Sequence, residues 1–394
     1  MSHWHRLLVV GIFVAWLAGC GDDDNVPTAS RGTVVRVESM GTFPVALLHQ
    51  ALTYYDAPVS LSPRFSVDAY RVIYITKNAR GALVEASGAI FLPAGQTNLP
   101  MISLQHPTQT ERTAVASVAP LVYGPDAVLA ASFGYAACAP DYLGMGESDG
   151  MHPYLHAGSA ANAVMDLVRA GRRFCAAENV TLNGQLFLGG YSEGAHATMA
   201  AQRAMESESP SEFQITAVAC LSGPYNLEQM AGSIMADPME DDVAFIAYFL
   251  TAYNDVYGWN RLDGIFAAPY SDRMDLLFDG SLSMGEIKDA LPATVGEMVL
   301  ESFSAGYANG METEVLAAIR ENTLLDWRPL APVRLYHGTA DDLVPFDIAV
   351  STLNSLRSQP GTSVELYPVA GADHEDGILA SLDPAFTWFE SLRR

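Results

Sequence analysis

The run Gly190-Tyr191-Ser192-Glu193-Gly194 constrains this chain more than any other feature. The stretch before it, Gln185-Leu186-Phe187-Leu188-Gly189, reads as a short buried strand, and Ala195 to Met205 reads as a helix. Gly-x-Ser-x-Gly between a strand and a helix describes a turn too sharp for side chains on both flanks, hence glycine two residues either side of the serine. Such a turn lifts the Ser192 hydroxyl clear of the sheet. The Glu193 N–H, at the helix N-terminus, then points toward any oxyanion formed there.

A serine is a poor nucleophile at neutral pH unless a base takes its proton and a carboxylate orients that base. In this strand–turn–helix setting the three follow in the order Ser, acid, His. Val333 to Gly338 reads as a late strand and Thr339-Ala340-Asp341-Asp342-Leu343-Val344-Pro345 as the loop leaving it. Ser363 to Tyr367 reads as a last strand, followed by Ala370-Gly371-Ala372-Asp373-His374. Acid and base both fall on loops after strands, where a sheet presents reactive groups. Asp341 is chosen over Asp342 because it lies three residues after Gly338 and three before Val344. The candidate catalytic set is therefore Ser192, Asp341 and His374, with the Glu193 N–H as one oxyanion donor.

With these segments, and with Asp141-Tyr142-Leu143-Gly144-Met145-Gly146-Glu147-Ser148 after a central strand, the chain resembles the α/β-hydrolase superfamily and, within it, the secreted lipase and esterase group. Tyr74-Ile75-Thr76 and Ala86-Ser87-Gly88 are similar to an early hairpin of that group, so the likeness runs from about Tyr70 to the C-terminus. It implies an α/β-hydrolase fold, a mostly parallel sheet flanked by helices, and cleavage of carboxylic esters without a cofactor. Related enzymes often carry His-Gly in the loop that donates a second oxyanion N–H. Here that loop reads His106-Pro107-Thr108-Gln109. Proline has no N–H to give, so Thr108 is the candidate donor, with Gln109 behind it. The alternative for Thr108 is an ordinary strand-end turn.

The chain of 394 residues has room for a substantial core, and its 49% hydrophobic and 17% charged content fits a globular protein. Residues 1–19 read as a signal peptide: Arg6 precedes an apolar run, Leu7 to Ala18, too short for a durable membrane span. Leu17-Ala18-Gly19-Cys20 resembles a bacterial lipoprotein box, which implies cleavage before Cys20 and acylation of its sulfur. Gly21, rather than aspartate, follows Cys20, which favours outer-membrane placement in the bacterial envelope. Residues 20–31 are small, polar and acidic and read as a tether. The net charge of −24, with Lys77 and Lys288 the only lysines, argues against nucleic acid and against a basic membrane-binding face. Membrane contact is expected only through Cys20, and the partner is a small-molecule or lipid ester substrate. Cys138, Cys175 and Cys220 read as buried thiols, and no Cys/His spacing suggests structural zinc.

Val34 to about Pro58 is expected to lie as an arm over the sheet. Val67–Thr76 and Leu83–Leu92 read as a hairpin, followed by alternating strands and helices. The alternation stops between residues 224 and 331, an interval too long for a simple connection. It is expected to form a helical cap between two core parts, 32–223 and 332–394. Phe245, Tyr248, Phe249, Tyr253, Tyr257, Trp259 and Phe266 either line a substrate pocket or form the cap's own core. His152 and His156 read as surface or N-cap-adjacent residues, with a place at the border of the pocket as the alternative; His196 reads as a packing residue, and the Glu193 side chain as negative charge at the pocket mouth. Two other functions share these features: a peptidase or amidase of the same fold, and a binding lipoprotein that has lost the chemistry.

Overall fold

The computed structural model describes residues 30–54, 60, 62–236 and 242–394. The predicted signal peptide, Cys20 and nearly all of the tether lie outside the described residues.

Nine strands form one sheet: β1 (Val34–Phe43), β2 (Val67–Lys77), β3 (Leu83–Pro93), β4 (Leu99–Gln105), β5 (Ala136–Pro140), β6 (Leu182–Tyr191), β7 (Ile215–Leu221), β8 (Val333–Gly338) and β9 (Val364–Val369). Their order is β1-β2-β3-β5-β4-β6-β7-β8-β9. The pairs β1/β2, β2/β3 and β3/β5 are antiparallel, and every pairing from β5 through β9 is parallel. This is the mostly parallel, helix-flanked sheet of an α/β-hydrolase. Strands covered on both faces read as continuous apolar runs, and every residue of β4 and β5 is buried. One core cluster packs Ala157–Ala177 and Glu193–Glu208 on one face, and a second packs Pro125–Ser132 and Gly377–Leu392 on the other.

The sequence expectation for residues 34–58 needs correction. Val34–Phe43 does not lie over the sheet but joins it as the edge strand β1, paired with β2 along its length. Its β-branched run Val34-Val35-Arg36-Val37 has the propensity for this, while its largely exposed side chains carry no core signal. The strand β5 begins only at Ala136, because Gly134 turns with φ +97°.

Residues 224–331 hold eight helices among the described residues, including Leu227–Ala236, Asp242–Tyr257, Glu301–Ala308 and Thr313–Asn322. They pack into a third apolar cluster with Tyr154 and Leu155 of the main body. Between the helices Val295–Met298 and Glu301–Ala308 the chain breaks at Val299, which bridges to Phe266. Within the cap, Tyr248, Tyr253 and Phe266 are core, as they are almost fully buried.

Asp166 on the helix Ala157–Ala177 joins the chain's start to its body. It is fully buried and takes hydrogen bonds from Arg31 at 3.0 Å, Arg169 at 2.7 Å and Thr76 at 2.7 Å. Removing the carboxylate takes a charged partner from both guanidinium groups, leaving Arg31 with Asn162 and Arg169 with Glu212, and leaves a buried void beside Thr76. Asp166→Ala is therefore expected to lower the unfolding free energy by about 3–5 kcal/mol, read as a shift in the urea midpoint at unchanged slope. A loss below about 1 kcal/mol would place this cluster among weak surface pairs.

Candidate active site

The parallel strands β6, β8 and β9 end on one edge of the sheet, so the loops leaving them meet. Ser192 follows β6 directly, Asp341 follows β8, and His374 follows β9. Ser192 adopts φ +56° and ψ −122°, outside the conformations most L-residues use. The flanking glycines are required by contact. A Cβ on Gly190 would lie 2.3 Å from the Gly194 carbonyl oxygen, and one on Gly194 would lie 2.0 Å from that of Gln105. The Ser192 N–H donates to Leu221 O at 2.8 Å, pinning the turn to the end of β7.

The three residues expected from sequence form one hydrogen-bonded line. His374 Nε2 lies 3.0 Å from Ser192 Oγ, and His374 Nδ1 lies 3.0 and 2.9 Å from the two carboxylate oxygens of Asp341. All three are buried. Asp341 also accepts the N–H groups of Leu343 and Val344, and His337 Nε2 stands 3.2 Å from it. Burial opposes charge on Asp341, but the hydrogen bonds from His337 and His374, the charge of His374 and the Val344 N–H outweigh it. Together they hold the carboxyl well below the ordinary carboxylate range. Asp342 is exposed and has no part in this line. Tyr191 donates its hydroxyl to the His374 carbonyl, which steadies the loop bearing the imidazole.

Glu193 begins the helix Glu193–Glu208, so its N–H lacks an intrahelical acceptor. The loop His106–Gln109 starts beside it, since Gly194 abuts the carbonyls of Gln105 and His106. Tyr142 donates to His106 O at 3.1 Å, Thr108 Oγ1 to the Tyr154 hydroxyl at 3.4 Å, and Tyr248 to Gln109 O at 3.2 Å. Thr108 thus stands on a loop braced by three tyrosines, one of them from the cap. The sequence singled out Tyr248 only as a cap aromatic and Tyr142 only within the Asp141–Ser148 run, and gave Tyr154 no signal; none was read as bracing this loop, because each acts through position rather than motif.

The Glu193 side chain is not at a pocket mouth. It is 4% exposed and meets His152 Nε2 at 2.7 Å. His152 is likewise buried rather than a surface residue. His156 caps the helix Ala157–Ala177 by accepting the Ser159 N–H. His196 bonds the Asn322 carbonyl, and burial lowers its pKa to about 4. Asp141 accepts hydrogen bonds from Ser87 and Ser117 and so fixes the turn before Gly146. Cys138, Cys175 and Cys220 are free and buried. Among the described residues no three His, Cys, Asp or Glu side chains are grouped to hold a metal ion.

An almost wholly apolar cavity opens inside the cap, lined by Tyr154, Leu227, Phe245, Phe249, Phe303 and Ile319 among others. Of the aromatic residues singled out in the sequence, Phe245 and Phe249 line it, whereas Tyr248, Tyr253 and Phe266 are packed into the cap core.

Comparison with known proteins places the fold and the family. The profile of the secretory lipase family matches residues 126–392. A comparison with curated proteins finds no match. Among solved structures, a provisionally assigned hydrolase from Legionella pneumophila is 26% identical, with a TM-score of 0.84 over 91% of this chain and 98% of that one. The rice cell wall degrading esterase LipA from Xanthomonas oryzae is 25% identical, with a TM-score of 0.83 over 93% of this chain and 100% of that one. Lipase A from Candida antarctica, in its closed state, shares the fold at 16% identity, with a TM-score of 0.70 over 94% of this chain and 84% of that one. The chain belongs to the secretory lipase family and is a carboxylic ester hydrolase with an α/β-hydrolase fold.

Proposed function

We propose that the enzyme cleaves esters through an acyl-enzyme on Ser192. His374 takes the Ser192 proton as the oxygen attacks the acyl carbon, and Asp341 holds His374 in the tautomer with Nδ1–H and stabilises the imidazolium. The N–H of Glu193, with that of Thr108 as second donor, binds the tetrahedral oxyanion. His374 then returns its proton to the leaving alcohol and activates the water that releases the acid. The observation that carries this reading is the unbroken hydrogen-bond line from Ser192 Oγ through His374 to Asp341, starting from a serine held at positive φ. The depressed pKa of Asp341 supports the same roles, since it keeps the carboxylate charged at neutral pH.

The apolar cavity in the cap supports esters with an apolar acyl group as substrates. The cap then governs entry, because its Tyr248 also braces the loop carrying Thr108. The enzyme is read as exported and held on the bacterial envelope, on the outer membrane, by acylated Cys20. Among the described residues no helix is long and apolar enough to cross a membrane. Mass spectrometry of the mature N-terminus, expected to find a diacylglyceryl cysteine, tests the anchor.

Ser192→Ala should reduce kcat on p-nitrophenyl butyrate by on the order of 10⁶, and Asp341→Asn by about 10⁴, with folded CD spectra. Full turnover by either variant would refute the assigned roles. Ala231→Phe, which fills the cap cavity, should lower kcat/KM for octanoyl and longer esters by roughly tenfold or more and leave acetate unaffected. An equal loss on both substrates would remove the cavity from acyl recognition.

A further inference from the structure

We infer that the buried pair Glu193–His152 is a positioning device that ties the two oxyanion donors together, and that it must keep its shared proton for full turnover. The inference rests on Ser192 being the nucleophile and concerns residues outside the Ser192–His374–Asp341 line.

The geometry fixes the proton count. His152 Nε2 faces Glu193 Oε1 at 2.7 Å, and His152 Nδ1 faces the Leu143 carbonyl at 2.8 Å. Both ring nitrogens meet acceptors. The pair therefore holds either an imidazolium beside a carboxylate or a neutral ring beside a protonated acid, and in both forms its net charge is zero. Glu193 Oε2 is buried and has no hydrogen-bond partner. If the pair loses its proton, a buried carboxylate remains with Oε2 unsatisfied, and one ring nitrogen, Nε2 or Nδ1 according to the tautomer, turns a lone pair toward an acceptor.

The pair touches both sides of the oxyanion site. Glu193 supplies one donor from its own backbone. The second donor's loop is held at His106, Thr108 and Gln109 by Tyr142, Tyr154 and Tyr248 respectively. Each of those rings packs against His152, at centroid distances of 5.6, 6.4 and 6.0 Å. Tyr154 and Tyr248 also stack on each other, 4.6 Å apart and 3° from parallel. One imidazole thus connects the residue after the nucleophile to all three tyrosines that position the facing loop.

The groups surrounding His152 leave it the one that titrates. Glu193 faces it from the elbow helix, Tyr142 and Tyr154 from its own side of the site, and Tyr248 from the cap helix Asp242–Tyr257. His106 lies behind Tyr142, and Arg112 approaches from beyond Tyr248. His196, whose pKa falls to about 4, is uncharged at neutral pH. Burial pushes all three tyrosines up, out of the range in which they would ionise. For His152 burial opposes the charge, but the Glu193 carboxylate, its hydrogen bond and the Leu143 carbonyl together raise its pKa. Below that raised value the His152 proton balances the Glu193 carboxylate. Above it, one negative charge remains beside the place where the oxyanion develops.

The test is the pH profile of kcat on p-nitrophenyl acetate, corrected for buffer hydrolysis, for wild type, Glu193→Gln and Tyr248→Phe. The wild type should lose kcat on the alkaline side. Glu193→Gln keeps the backbone N–H, and its amide leaves no anion when His152 deprotonates, so its profile should lack the alkaline fall. Its kcat at neutral pH should drop roughly tenfold to a hundredfold, less than the ~10²–10³ lost with an oxyanion donor outright, while KM is unchanged. Tyr248→Phe should lower kcat but keep the alkaline fall. If Glu193→Gln does not fold, His152→Gln takes its place, and it too should lack the fall. A folded variant of the pair that retains the wild-type alkaline limb, or wild-type kcat, overturns the inference. An inactive wild type would overturn the Ser192 reading instead.

Discussion

The close approach of the elbow helix to the end of β4 is the contact on which the rest of the site depends. Gly194 sits against the carbonyls of Gln105 and His106 so tightly that no side chain fits there. That contact brings the first N–H of the elbow helix alongside the loop bearing Thr108, and it holds Ser192 in a backbone conformation that costs on the order of 1–3 kcal/mol. The strain persists because β6 and β7 fix the turn from below through the Leu221 carbonyl, and the buried helix fixes it from above. A serine hydroxyl held this way needs no backbone reorganisation to stay within hydrogen-bond reach of His374, the kind of preorganisation from which polar sites gain their advantage.

Around that contact, the buried aspartates are each met by several donors, although Ser222 Oγ, His196 Nδ1 and His337 Nδ1 lack partners. Asp341 gathers two backbone N–H groups and two histidines, and Asp141 gathers two serines. Glu193 differs, with one oxygen paired to His152 and the other unpartnered. A buried, incompletely satisfied carboxylate is an expensive arrangement. The cap adds a second layer. Its helices form their own apolar cluster, yet through Tyr248 they also reach the loop facing the nucleophile. Cap and site are therefore mechanically connected, and the apolar cavity shares Tyr154 with that same loop.

Much of this was legible in the chain. The strands around Ser192 are covered on both faces, so they appear as uninterrupted apolar runs, and the loops after them announce Asp341 and His374 through spacing alone. The edge strand β1 was not legible as part of the sheet, because a strand with most side chains in water loses the alternation that marks burial. Nor was the break at Val299, where pairing with Phe266 overrides a helix-like run. The aromatic residues of the cap could be counted in the sequence but not sorted: burial places Tyr248, Tyr253 and Phe266 in the core and leaves Phe245 and Phe249 facing the cavity.

By itself the sequence determined the class of chemistry. Gly190, Ser192 and Gly194 permit one kind of turn, and an acid and a histidine on later strand-end loops have few other uses in that order. Tertiary structure alone decided what surrounds that chemistry. Glu193 and His152 lie 41 positions apart with no motif joining them, and the three tyrosines come from separate segments. Local sequence encodes backbone conformation, which short-range sterics enforce. Charge state and bracing depend on which distant side chains share a dry volume, and only the folded packing sets that.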